Sequence, residues 1–234
     1  MELSKRLQMN VSLIPKGARV GDIGCDHGYA SIFLAREKAC RVIAMDVREG
    51  PLSHARENIL RARLSTAVEC RLSDGLKGLV PGEVDTVLLG GMGGMLIASI
   101  LERAPEVMRQ IQTVVLQPQS DWRQVRLCLL GLGFVIDKEK FCVDAGKDYL
   151  AIRARRLPEI ERGRLESPYT DAELTFGRYL PRHRDMAYRD YLERERDKYI
   201  AILGGLEGKS SGAEERTKEL THIINMLEEV LRQW

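Results

Sequence analysis

The stretch Val20-Gly21-Asp22-Ile23-Gly24-Cys25-Asp26-His27-Gly28-Tyr29 decides how the rest of the chain is read. Arg19 to Ile23 forms a short apolar strand, Gly24 turns it, and Ala30-Ser31-Ile32-Phe33-Leu34-Ala35 continues as a helix. Strand, glycine turn and helix in that order open the ligand site of a nucleotide-binding α/β domain. Glycine lets the backbone take a positive φ and approach a ligand closely. Taken alone, the stretch also fits a tight turn with solvated acids.

Charge narrows the ligand class. A dinucleotide site seats a pyrophosphate on the helix N-terminus. This turn instead carries Asp22 and Asp26, and like charges about 4 Å apart oppose each other by roughly 4 kcal/mol at an effective dielectric of 20. Two carboxylates suit a cationic ligand such as S-adenosylmethionine, which has a sulfonium and an ammonium and no phosphate. The spacing of Asp22, Gly24, Asp26 and Gly28 resembles the first motif of class I methyltransferases, with Asp26 where that motif has its middle glycine.

The following units keep the βα rhythm. Arg41 to Asp46 reads as a second strand ending on an acid, at the distance from the glycine turn where α/β nucleotide sites place a ribose-binding carboxylate. Gly50-Pro51 opens a helix from Leu52 to Ala62. A third strand, Ala67 to Leu72, runs into Ser73-Asp74-Gly75-Leu76, the place where methyltransferases contact the adenine of the cofactor; Asp-Gly is also ordinary turn chemistry. Asp85 to Leu89 is the fourth strand and meets Gly90-Gly91-Met92-Gly93-Gly94-Met95. Glycine weakens a regular element by about 0.5–1 kcal/mol relative to alanine, so such a cluster at a strand's carboxyl end points to close approach by a ligand. Thr113 to Gln117 is the fifth strand, and a helix follows from Asp121 to Leu132. Phe134 to Val143 and Tyr149 to Arg155 are spaced to pair as an antiparallel hairpin.

Composition sets outer bounds. The 234 residues, 44% hydrophobic and 30% charged, suffice for a full core and an appendage. No apolar run approaches the roughly 20 residues of a membrane span, and Met1 to Leu7 lacks a signal-peptide core. The five cysteines and four histidines are dispersed, which argues for reduced thiols in the cytoplasm and for no metal site. The net charge of +2 does not announce a nucleic-acid binder. Two arginine-rich stretches do stand out: Arg153, Arg155, Arg156, Arg162 and Arg164, then Arg178, Arg182, His183, Arg184 and Arg189. A charge cluster by itself is usually a solvated face.

Past Arg156 the pattern changes. Pro158 to Pro168 reads as a linker, and Thr170 with Glu173 as a capping box. Pro181 interrupts or restarts the helix that begins there. Tyr188, Tyr191, Leu192, Tyr199, Ile202 and Leu203 mark one amphipathic helix, and Leu220, Ile223, Ile224, Leu227, Val230 and Leu231 a second. Joined by a glycine-serine turn, they predict a short, coiled-coil-like antiparallel hairpin. The expected division is a domain over 1–157 and a helical domain over 158–234.

With these pieces placed, nearly the whole chain resembles the bacterial TrmK family of tRNA (adenine-22-N1)-methyltransferases. The resemblance rests on Leu3-Ser4-Lys5-Arg6-Leu7, Asp22 to Tyr29, Gly50-Pro51, Asp74-Gly75-Leu76, Gly90 to Gly94, Leu116-Gln117-Pro118 and the helical tail. The Gly-Met-Gly-Gly after the fourth strand is its most specific element. Methyltransferases of exocyclic amines carry Asp/Asn-Pro-Pro-Tyr there. The resemblance implies a Rossmann-like α/β domain with a seven-stranded, mostly parallel sheet, S-adenosylmethionine as cofactor and tRNA as substrate. It implies cofactor contacts at Asp22, Gly24, Asp26, Gly28, Asp46, Ser73, Asp74, Gly75, Gly90 and Gly91. The positive charge that develops on a methylated base makes Asp26 and the glycine segment, with Gly91 and Met92, the catalytic candidates; His27 either orients the base or caps the helix; and the two basic stretches supply the candidate RNA contacts Arg153, Arg155, Arg178, Arg182, Arg184 and Arg189. A monomer or weak dimer is expected. The rival readings are a class I methyltransferase for another RNA base, a small molecule or a protein, and a non-catalytic nucleotide-binding module.

Overall fold

The computed structural model describes residues 3–157, 168–206 and 213–234. The chain divides into two units, Met1–Leu165 and Glu166–Trp234. The boundary expected after residue 157 falls at the edge of a stretch outside the described residues. The expected linker up to residue 167, Arg162, Arg164 and the turn at Gly208 to Gly212 also lie outside them.

The first unit begins with helix α1 (Lys5–Leu13), whose N-cap Ser4 accepts from the Leu7 N–H. Strand β1 (Arg19–Ile23) follows, then α2 (Tyr29–Lys38), β2 (Arg41–Asp46), α3 (Glu49–Arg61) and β3 (Val68–Leu72). A single 3-10 turn, Gly75–Gly78, leads to β4 (Thr86–Met92), α4 (Gly94–Glu102), α5 (Pro105–Gln110), β5 (Thr113–Pro118) and α6 (Trp122–Gly131). Strands β6 (Val135–Asp144) and β7 (Lys147–Arg155) close the unit. The sheet has seven strands in the order β3-β2-β1-β4-β5-β7-β6. The first five are parallel, and β7 runs antiparallel to both of its neighbours. The order reverses between β1 and β4, and an open α/β sheet binds its ligand in the crevice at the carboxyl ends of the strands there.

The central strands are apolar on both faces, as helices on both sides of a parallel sheet require. Val20, Val42, Ala44, Leu88 and Val115 pack under Leu34, Leu52 and Ile59, all buried. Each of these larger aliphatic side chains contributes about 1.5–3 kcal/mol by leaving water.

Three local features differ from the sequence expectation. Strand β4 does not stop before the glycines but carries through Gly90 and Gly91 to Met92, which pairs with Pro118 across a bulge. The hairpin turn is shorter than the expected gap between Val143 and Tyr149: Asp144 pairs with Lys147, leaving only Ala145 and Gly146, both at positive φ. That is the two-residue turn whose twist matches a hairpin. Helix α5 was not expected at all; it is too short to show periodicity, and its one signal is Pro105 in the first turn.

The second unit is helical: α7 (Asp171–Phe176), α8 (Tyr179–Arg182), α9 (Met186–Gly204) and α10 (Ala213–Leu231). The capping box is present at α7, with Thr170 accepting from the Glu173 N–H and Glu173 accepting from the Thr170 N–H. Pro181 restarts the helix, lying in the first turn of α8 where its missing N–H costs nothing. Asp185 caps α9 through the Tyr188 N–H. Helices α9 and α10 pack together, burying Tyr188, Leu192, Leu220, Leu227 and Val230. The Tyr188 hydroxyl keeps its hydrogen bond inside that core, donating to the Phe176 carbonyl across 2.5 Å.

Candidate active site

A cavity of about 500 Å³ opens at the carboxyl ends of β1, β2 and β4. Asp22, Gly24, Asp26, His27, Asp46, Ser73, Asp74, Gly75, Gly90, Gly91 and Met92 all line it, so the fold gathers nearly all the residues singled out for cofactor and catalysis. Gly28 is the exception. It caps α2 at φ +72°, and a Cβ there would sit 3.1 Å from the Ala55 Cβ of α3. Its lack of a side chain serves the approach of two helices rather than a ligand.

Asp22, at 4% exposure, forms the floor. Ser31 donates from Oγ to Asp22 Oδ2 across 2.5 Å. Burial pushes the Asp22 pKa up to about 6, Ser31 opposes the shift, and the Asp46 charge adds to it. None of these influences is cationic. Gly24 turns the chain above it at φ +74°, and its N–H and that of Cys25 both donate to the Met45 carbonyl. A Cβ on Gly24 would lie only 2.4 Å from the Met92 methyl.

Asp46 is fixed by two backbone donors, Arg48 N–H at 3.0 Å and Asp26 N–H at 3.4 Å. Its carboxylate keeps lone pairs toward the cavity. Ser73 is also locked, donating to the Gly75 carbonyl at 2.9 Å and accepting from Gly78 N–H at 2.8 Å. Asp74 is exposed and paired to Lys77, which holds its carboxyl below the ordinary range. Gly75 is at φ +61°, and a Cβ there would strike Ile100 at 2.9 Å.

At the mouth, Asp26 is exposed, His27 is half-exposed, and the two lie 3.8 Å apart. The His27 ring stacks with His54 at 5.3 Å and with Tyr29 at 5.8 Å between centroids. Cys25 also lines the cavity, but burial and the surrounding carboxylates push its thiol far up. It stays protonated, so a thiolate nucleophile is absent here.

The four glycines do different things. Gly90 and Gly91 line the cavity, with Gly91 at φ +76°. Gly93 is the cap of α4 at an ordinary φ of −63°. Gly94 lets α4 pack, since a Cβ would lie 2.4 Å from the Ser120 carbonyl oxygen.

Sequence reasoning missed the wall supplied by α1 and β5. Arg6 and Asn10 from α1 line the cavity opposite the glycines, together with Gln117 from β5. Arg6 is anchored by its N–H to Asp144 and by its guanidinium over the Tyr149 ring. The only signal was the amphipathic pattern of α1, which shows that one face is buried but not against what.

The arginines assigned to RNA do not form one class. Arg178 is 3% exposed, paired with Glu173 at 2.6 Å, bonded to the Pro168 carbonyl and stacked over Tyr169. Its charge is spent inside the second unit, so its assignment to RNA is corrected. Arg153 is likewise committed, with two hydrogen bonds to Asp137 and one to the Leu13 carbonyl. Arg155 shares Asp137 but is half exposed. Arg182 and Arg189 reach Glu173 and Glu193 while remaining partly in water. Arg184 is exposed, with no ion pair to a described residue.

An open α/β sheet with an acid-floored cleft at its switch point and glycines at the end of β4 defines a methyltransferase domain. The chain belongs to the methyltransferase domain family, whose model matches residues 3–152. Over its whole length it is similar to the tRNA (adenine(22)-N(1))-methyltransferase of Bacillus subtilis, 28% identical across 99% of this chain and 98% of that one. Among solved structures it resembles a protein of the NADB-Rossmann superfamily from Streptococcus agalactiae, with TM-score 0.87 and 30% identity over 99% and 98% of the two chains. It also resembles a Streptococcus pneumoniae putative tRNA (m1A22) methyltransferase in complex with S-adenosyl-L-methionine, with TM-score 0.85 and 27% identity over 98% and 100%. No helix among the described residues is long and apolar enough to cross a membrane.

Proposed function

We propose that this protein methylates N1 of an adenine in tRNA, at position 22, with S-adenosylmethionine as the methyl donor. The observation that carries the reading is the cavity itself, whose floor is a buried carboxylate with no cation beside it. A ligand that brings its own positive charge completes such a site. The match to the Bacillus subtilis enzyme over nearly all of both chains supplies the reaction.

The residues present fit the cofactor. Asp22 and the turn at Gly24 suit its ammonium end, Asp46 its ribose hydroxyls, and the segment Ser73 to Gly75 its adenine. Bound there, S-adenosylmethionine supplies an activated methyl on a sulfonium, which passes to the lone pair of adenine N1 and leaves the positive charge on the base. The chain's own work is positioning, which supplies roughly 7–11 kcal/mol in favourable cases. No side chain need remove a proton, because N1 carries none. Gly90, Gly91 and Met92 border the space for the reacting base, and Asp26 places negative charge at the mouth where a cationic product forms. His27, whose ring stacks with those of His54 and Tyr29, lies at the mouth where the base enters. Because N1 lies on the Watson–Crick edge, the target must be unpaired, at a cost of a few kcal/mol.

Exposed Arg155, Arg182, Arg184 and Arg189 are the proposed phosphate contacts. The five cysteines form no disulfide, which supports a reducing, cytoplasmic setting. Incubation with methyl-labelled cofactor and unmodified bulk tRNA tests the function: label in tRNA supports it, and label confined to protein or small molecules contradicts it.

A further inference from the structure

Gln117, on β5, is 0% exposed, and neither its amide nitrogen nor its amide oxygen has a hydrogen-bond partner. It nevertheless lines the cavity. Beside it, Asn10 of α1 is 2% exposed, and its Oδ1 also lacks a partner. Both amides surround one point: a Cβ built on Gly90 would lie 3.1 Å from Asn10 Nδ2 and 3.6 Å from Gln117 Oε1. An unpaired buried polar group costs about 1–3 kcal/mol. Two side chains that are left unpaired around one glycine, in a cleft built for a ligand, point to ligand atoms as the missing partners.

The kind of partner follows from the amide. Gln117 offers one donor and one acceptor side by side, both free. Adenine presents the matching pair on its N6/N7 edge, an amino donor beside a ring acceptor, and a glutamine reads that edge with two hydrogen bonds. Guanine has two acceptors there, so its O6 would face Gln117 Oε1. Reading by N6 and N7 leaves N1 unobstructed, as methylation at N1 demands. Gly90 then has a reason to lack a side chain, because a methyl group would occupy the space that the two amides enclose.

We infer that Gln117 is a specificity-determining residue that selects the target base by its N6/N7 edge. This rests on the tRNA-adenine reading above. A cofactor role is the rival for the same amide, and a single substrate atom separates the two. The donor to N7 loses its acceptor when adenosine is replaced by 7-deazaadenosine, while N1 and N6 keep their places and N1 becomes, if anything, more nucleophilic.

The test uses the full-length protein and ligated tRNA with either nucleoside at the target position. For the wild type, kcat/KM is expected to fall about tenfold or more on the 7-deaza substrate. Gln117→Met fills the same volume without polar atoms, and is expected to methylate both substrates equally, below the wild-type rate. Its affinity for S-adenosylmethionine, measured by calorimetry, should stay within about twofold of wild type. Equal wild-type rates on the two substrates overturn the inference without any variant. It is also overturned if Gln117→Met folds, loses tenfold in cofactor affinity and keeps the discrimination, which would put the amide on the cofactor. Failure of the wild type to methylate even the adenosine substrate brings down the underlying function, a result distinguishable from either of these.

Discussion

Ser31 fixes the Asp22 carboxylate by a 2.5 Å hydrogen bond at the floor of the cavity, yet a hydroxyl brings no charge to set against it. Burial therefore dominates, and the carboxyl titrates at about 6 instead of 3.8. Between those values the folded protein holds a proton that the unfolded chain has released. The stability from that proton is complete below 3.8 and is lost as pH rises through about 6. A cationic ligand prefers the ionised form, so cofactor affinity should rise as pH rises through 6. Asp22→Asn should weaken binding and flatten that dependence. Calorimetry from pH 5 to 8 checks this, and a pH-independent wild-type affinity would remove Asp22 from the ammonium site.

Gly90→Ala tests the reacting face. Its φ is not positive, so alanine brings no backbone strain there. The added methyl would sit 3.1 Å from Asn10 Nδ2, narrowing the space for the base. Methyl transfer should fall at least tenfold with cofactor affinity nearly unchanged. Gly24→Val should do the reverse, because its φ of +74° resists a side chain. Cofactor binding should then be lost in a folded protein, as judged by circular dichroism and calorimetry.

What was legible in the sequence was local. Asp22, Gly24 and Asp46 announce themselves because strand, turn and strand end are each written in a few adjacent residues. A mostly parallel sheet followed from the βα rhythm and the closing hairpin, but its strand order did not. Asn10 and Gln117 were not legible as a pair, because only the fold brings α1 against the end of β5. Arg153 and Arg178 were misread for a related reason. A run of positive charge says nothing of distant acids, and Asp137 and Glu173 decide what Arg153 and Arg178 do.

Arg126 shows the same limit in the core. It lies on the buried side of α6, fully enclosed, and pairs with Glu139 of β6 at 2.7 Å. Removing one partner leaves a buried charge uncompensated, so Glu139→Ala should destabilise by about 3–5 kcal/mol. The double substitution Arg126→Met with Glu139→Leu should recover much of that loss. Chemical denaturation of the three proteins measures it; a double variant as unstable as Glu139→Ala would contradict the desolvation argument.

For RNA binding, the exposed arginines are separable from the buried one. Neutralising Arg182, Arg184 and Arg189 together should weaken tRNA binding and leave the cofactor affinity alone. Each lost phosphate contact should reduce the log–log salt slope by roughly 0.7 to 0.9. Arg178→Ala should instead lower the melting temperature, because the contacts of the buried guanidinium with Glu173 and Tyr169 are lost. Superimposable salt curves for the triple variant and the wild type would take these arginines off the RNA.

The central claim is methyl transfer to N1 of adenine 22. A methyl on N1 blocks Watson–Crick pairing, so reverse transcriptase halts at the modified base. The measurement is primer extension on one tRNA transcript after treatment with protein and S-adenosylmethionine, beside the same transcript with guanine at position 22. The account predicts a cofactor-dependent stop at 22 in the adenine transcript and none in the guanine transcript. Methylated tRNA without a stop at 22, or a stop that persists in the guanine transcript, would contradict it.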